Sequence, residues 1–150
     1  MIFNNESVFF FSTFLSVDLI GFNDYEKWLH NVFLADIENE NDLLLELESA
    51  TNSIEKTLRI LNEYLYDKLS SLDFRLVGEM ITLQVETVYA SNHFTVEELS
   101  HKLYELWCLL PSKMSEQEPF HMMTYIDDPL SWGDKQQTIK LLEQFINYYK

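Results

Sequence analysis

The chain reads as a mainly α-helical protein, a bundle of about six helices over residues 1–150 treated as one globular domain. Three observations predict this. Apolar residues recur at three- and four-residue spacing through most of the 150 positions, and capping signatures precede several of these runs. Gly and Pro occur only three times each, too few for a turn-rich β-sandwich or a Gly-rich phosphate loop. With 47% hydrophobic and 15% aromatic residues, the chain has enough apolar surface for a packed core.

Taken in order, Val8–Ile20 predicts a buried helix, with Asn4 or Asn5 as N-cap and Gly21 at its left-handed end. Periodicity alone also admits a buried strand there. Asn23 and Glu26 have capping-box spacing, and Trp28, Leu29, Val32 and Phe33 share a face, which predicts a helix over about 24–34. The acidic stretch 36–42 is read as a connector. Leu44, Leu47, Ile54, Leu58, Leu61, Leu65 and Leu69 then recur at helical spacing, interrupted at Thr51-Asn52-Ser53. With Asn52 and Glu55 as a capping box, this predicts helices over 42–50 and 53–69, or one bent helix.

Residues 74–89 are ambiguous. Val77, Ile81, Leu83, Val85 and Tyr89 share the parity of a strand, which leaves an α+β alternative. Helix is preferred, because no other segment offers a strand partner. Thr95 and Glu98 open a helix with the stripe Val96, Leu99, Leu103, Trp107 and Leu110, and Pro111 stops it. Asp134 caps the last helix, about 135–149. Residues 111–133 between them carry all three prolines and read as a long loop packed through Phe120, Met122, Met123, Tyr125 and Trp132.

Catalytic and metal motifs do not emerge. Cys108, the sole cysteine, excludes an intramolecular disulfide and reads as a small buried hydrophobe. Asp36, Glu38 and Glu40 alternate like calcium ligands, but Asn41 and Leu47 stand where an EF-hand needs Gly and Glu. Glu98/His101 and Glu118/His121 have the i, i+3 spacing of di-iron bundles. The first pair is expected to face solvent, and Pro119 lies inside the second. No serine elbow, His-Glu-x-x-His, Cys-x-x-Cys or P-loop is present. No cofactor is expected, and an enzyme is the weaker class. The N-terminus lacks a basic n-region and the run from Val8 to Phe22 is too short and polar to span a membrane, so a cytoplasmic protein is expected.

The charge is more informative. There are 25 Asp and Glu against 10 Lys and Arg, net −15, which opposes direct binding to nucleic acid or to an anionic membrane. Two tracts contain no Lys or Arg. From Trp28 to Glu55 lie Asp36, Glu38, Glu40, Asp42, Glu46, Glu48 and Glu55, and from Met114 to Asp134 lie Glu116, Glu118, Asp127, Asp128 and Asp134. Such tracts are either solvated faces or a docking surface for a cationic partner. Tyr125 and Trp132 lie beside the second tract as candidate aromatic anchors, with Trp132 equally suited to capping the core under the last helix. Trp28 is assigned to the core by its spacing.

In size, charge and lack of catalytic motifs the chain resembles bacterial immunity proteins. That resemblance implies a protein-binding inhibitor that neutralises a cognate basic toxin, such as a nuclease. Its partner-binding residues are expected to be Asp36, Glu38, Glu40, Asp42, Glu46, Glu48, Glu116, Glu118, Tyr125, Asp127, Asp128 and Trp132. The alternatives are a protein similar to type III secretion chaperones, favoured by strand at 74–89, a nucleic-acid mimic, and a metal-dependent helical enzyme using Glu98, His101, Glu118 and His121.

Overall fold

The computed structural model describes residues 1–36 and 41–150, and these contain helices and turns but no strand. Among the described residues there are eight α-helices rather than about six: α1 (Asn5–Ser16), α2 (Phe22–Ala35), α3 (Asp42–Ser49), α4 (Ile54–Leu65), α5 (Phe74–Ser91), α6 (Val96–Trp107), α7 (Ser112–Ser115) and α8 (Lys135–Ile146). Short 3-10 helices cover Leu69–Ser71, Phe120–Thr124 and Asp128–Trp132. The described residues group into two compact units, Met1–Leu72 and Asp73–Lys150.

In the first unit α1 packs on α4, and α3 contacts both α2 and α4. Asn4 caps α1 in a reciprocal box with Ser7. The helix is buried from Ser7 to Leu15, so its polar groups must be satisfied internally. Ser12 accordingly donates to Asn62 Oδ1 at 2.6 Å, and Thr13 to the Phe9 carbonyl at 3.0 Å. Phe10 stacks on Phe14 with ring centroids 4.5 Å apart, and Phe11 meets Trp28 at 4.4 Å. Trp28 is therefore core, as its spacing predicts.

Three boundaries in this unit differ from the sequence reading. Gly21 does not end α1 in a left-handed conformation. Its φ is −75° and it is the N-cap of α2, while the positive φ falls on Asp18 at 58°. Because α2 starts at Phe22, Asn23 lies inside it and the expected Asn23/Glu26 box does not form. Ser53 rather than Asn52 caps α4, accepting from Lys56 N, and α4 ends at Leu65 before the 3-10 turn at Leu69.

In the second unit residues 74–91 are helical, which removes the strand alternative. Asp73 caps α5 by accepting from the amides of Arg75 and Leu76, and Asn92 closes it at φ 56°. Val77, Ile81, Val85 and Val88 form its buried stripe. Helix α5 packs on α8, which also meets α6 and the 3-10 turn Asp128–Trp132. Thr95 and Glu98 form the expected capping box of α6, and Asp134 caps α8 through the Gln137 amide.

The long loop expected at 111–133 is instead α7 and two 3-10 helices, whose local hydrogen bonds satisfy the backbone of a segment with no long-range periodicity. Met114, Phe120, Met123 and Ile126 anchor it in the core. Trp107 Nε1 donates to the Ser115 carbonyl at 2.9 Å, tying α6 to α7. Cys108 also departs from expectation: it lies just past the end of α6 and is exposed, while Leu106 and Leu110 on either side are buried. Among the described residues no helix is long and apolar enough to cross a membrane.

Candidate functional site

The two acidic tracts belong to different units, Asp36–Glu55 to the first and Glu116–Asp134 to the second. The first unit carries thirteen acids against four bases and the second twelve against six, so neither unit alone accounts for the charge.

In the first tract Asp36 is the half-buried C-cap of α2, and its carboxylate accepts from the Asn41 amide at 3.3 Å. Asn41 in turn caps α3, accepting from Leu44 N at 3.2 Å. Asp42 stands exposed in the first turn of α3, where the positive end of the helix dipole stabilises a carboxylate by about 0.3–1 kcal/mol. Asp42 thus has a structural reason to be acidic, independent of any partner. Glu46 is exposed and Glu48 half-buried. Glu48 lines a polar cleft of about 480 Å³ with Glu26, Lys27, His30, Asn23 and Thr51, where Lys27 offsets part of the negative charge. Glu38 and Glu40 lie outside the described residues.

The second tract is organised around Tyr125 and Trp132. Tyr125 donates from its hydroxyl to Glu118 Oε1 at 3.4 Å, and its ring meets that of His121 at 5.9 Å. Partial burial of the phenol, with the Glu118 carboxylate adding to it, raises the pKa of Tyr125 above the ordinary tyrosine value. Glu116, Glu118 and Asp128 are exposed and Asp127 is half-buried. Trp132 closes the 3-10 turn and is 66% exposed, while Gly133 takes a left-handed φ of 77° to turn the chain into α8. Of its two readings, the core cap is excluded: the indole of Trp132 is largely in solvent.

The residues of the metal-enzyme alternative do not converge. Glu98 serves the α6 capping box, and His101 pairs with Glu105 at 3.2 Å on the exposed face of the same helix. Among the described residues no group of three His, Cys, Asp or Glu could hold a metal ion.

One feature escaped the sequence reading. An apolar groove of about 430 Å³ is lined by Ile2, Phe3, Val32, Ala35 and Leu44 with Asp36 at its wall. It draws on three separate stretches of chain, so no single run of residues announced it. No family model matches the chain, and neither a curated protein nor a solved structure does.

Proposed function

We propose that the chain is a protein-binding inhibitor, in concrete terms a bacterial immunity protein that neutralises a cognate basic toxin in the cytoplasm by occluding its active site. The observation that carries this reading is Trp132. A 66%-exposed tryptophan has a cost in water, and this one sits in a stretch, Met114 to Asp134, with five carboxylates and no Lys or Arg. An aromatic anchor among like charges suits an interface whose partner brings cations.

The mechanism is competition for charge. A nuclease holds nucleic-acid phosphates with Lys and Arg, and carboxylates such as Glu116, Glu118 and Asp128 would occupy those same cations. Long-range attraction would raise the association rate, and burial of Trp132 would slow dissociation. Helical structure at 74–91 takes away the strand on which the chaperone alternative drew.

The test is growth rescue. The product of the preceding gene, expressed alone, should arrest growth, and co-expression with this chain should restore it. Absence of rescue, with the toxic product confirmed as present, rejects the reading.

A further inference from the structure

We propose that the polar cleft between α2 and the end of α3 is a binding site for a free basic amino acid, a ligand with two cationic groups and one carboxylate. The inference goes beyond the inhibitor reading and does not rest on it.

The cleft lies within the first unit, where α2 packs on α3. Glu26, Lys27 and His30 follow Asn23 at helical spacing, so the four share a stripe of α2 roughly 10 Å long. Glu48, in the last turn of α3, and Thr51 just beyond it form the opposite wall. At about 480 Å³ the cleft falls in the usual range of small-molecule pockets, roughly 300–1,000 Å³. Its walls belong to two packed helices, so its shape is set before a ligand arrives, which lowers the entropy lost on binding.

The charges that line the cleft are Glu26, Glu48 and Lys27. They share it without pairing: among the described residues the ion pairs lie elsewhere, and none joins Lys27 to either carboxylate. Glu48 also stands at the negative end of the α3 dipole, with no basic residue in that last turn. The phenol of Tyr25, fully buried beside α3 and α4, shows that both carboxylates act on one place. Burial raises its pKa above the ordinary tyrosine value against the opposing Thr57 hydroxyl, and Glu48 and Glu26 add to the rise. The Thr57 hydroxyl donates to the Ala50 carbonyl at 3.2 Å, so among the described residues nothing donates to the Tyr25 oxygen. A buried oxygen without a donor, near two carboxylates without a cation, points to positive charge supplied from outside the chain.

Lys27 decides what else the ligand carries. A simple cation would meet its ammonium in the same cleft, and a simple anion would meet two carboxylates. Two carboxylates and one ammonium are matched by two cations and one carboxylate, the charge set of free lysine or arginine. The α-ammonium and the side-chain cation would face Glu26 and Glu48, and the ligand carboxylate would face Lys27. Asn23, His30 and Thr51 remain to hydrogen-bond the same polar groups.

The test titrates L-lysine into the isotopically labelled full chain, beside cadaverine, which lacks the carboxylate, and L-norleucine, which lacks the second cation. Saturable amide shifts at Asn23, Lys27, His30 and Thr51 are expected with L-lysine, and binding about tenfold weaker or more with either analogue. Lys27→Met should weaken L-lysine about tenfold and leave cadaverine no weaker. Glu48→Gln, which removes a carboxylate from a helix C-terminus, should keep the fold and weaken both ligands. Absence of saturable shifts with L-lysine, shifts centred outside the cleft, an analogue that binds as tightly as L-lysine, or undiminished L-lysine binding to either variant would each overturn the proposal.

Discussion

The phenol ring of Tyr149 lies directly against the bare Cα of Gly78. A Cβ at position 78 would come within 2.7 Å of Tyr149 Cζ, closer than real side chains approach. Gly78 is buried in the second turn of α5, inside the helix, where glycine costs roughly 1 kcal/mol relative to alanine. That cost is offset by the close crossing of the residues after α8, which Arg75 reinforces from 5.6 Å above the Tyr149 ring. Gly78→Ala should therefore destabilise the protein by about 1–3 kcal/mol through overpacking. In a Tyr149→Ala background the same change should turn neutral or stabilising, because only the helix-propensity gain remains. Chemical denaturation of the four proteins in this cycle measures the reversal of sign.

Tyr125 reports on the second acidic tract. Its pKa is raised first by burial and then by the negative charge of Glu118, both of which disfavour the phenolate. Glu118→Gln removes the second cause and keeps the first. The Tyr125 pKa should fall toward, but stay above, the ordinary value near 10. For an acid held above its unfolded value, the stabilisation is present below that value and lost as pH rises through the folded one. The loss of stability in alkaline solution should accordingly begin at the same pH in Glu118→Gln, set by the unfolded chain, but be smaller and reach completion at lower pH. Titration of the phenolate absorbance, with Tyr125→Phe as the reference, follows the shift.

Cys108 should behave as an accessible thiol. It is exposed beyond the last turn of α6, so a disulfide reagent should modify one thiol per chain under native conditions. The modified protein should retain its helical circular dichroism, since Leu106 and Leu110 rather than Cys108 hold this corner in the core. A thiol that reacts only in denaturant would contradict this placement.

The same corner explains how far the sequence could be read. Thr95/Glu98, Asn4 and Asp134 were legible because a cap is a local device: a side chain reaching a backbone amide three residues on. Helix α5 was ambiguous because Val77, Ile81 and Val85 share both the four-residue spacing of a helix and the parity of a strand. Cys108 was misplaced because the apolar run Trp107–Leu110 continues past the helix end, where periodicity no longer assigns a face. The 3-10 turns of 111–133 are too short to show a period at all. Among the site residues, the acids of both tracts were visible as composition. Which of them serve a helix terminus, as Asp42 does, depends on where each helix starts. The groove, built from residues far apart in sequence, required the fold.

Trp132 separates a binding role from a folding role. Trp28 is buried, and Trp107 is half-buried and spends its indole N–H on the Ser115 carbonyl, while Trp132 is 66% exposed. In the free protein a collisional quencher should therefore act chiefly on Trp132, and Trp132→Phe should remove most of the quenchable, red-shifted emission. Trp132→Ala should change unfolding stability by no more than about 0.5 kcal/mol, as for other exposed substitutions. Against the basic partner, the same variant should raise the dissociation rate, with an affinity loss of about 2 kcal/mol or more if the indole is a central anchor. Reversal of Asp127 and Asp128 to lysine should instead lower the association rate and flatten its dependence on salt. A Trp132→Ala protein that fails to fold would return this residue to the core. One that folds and dissociates no faster would move the interface away from the second acidic tract.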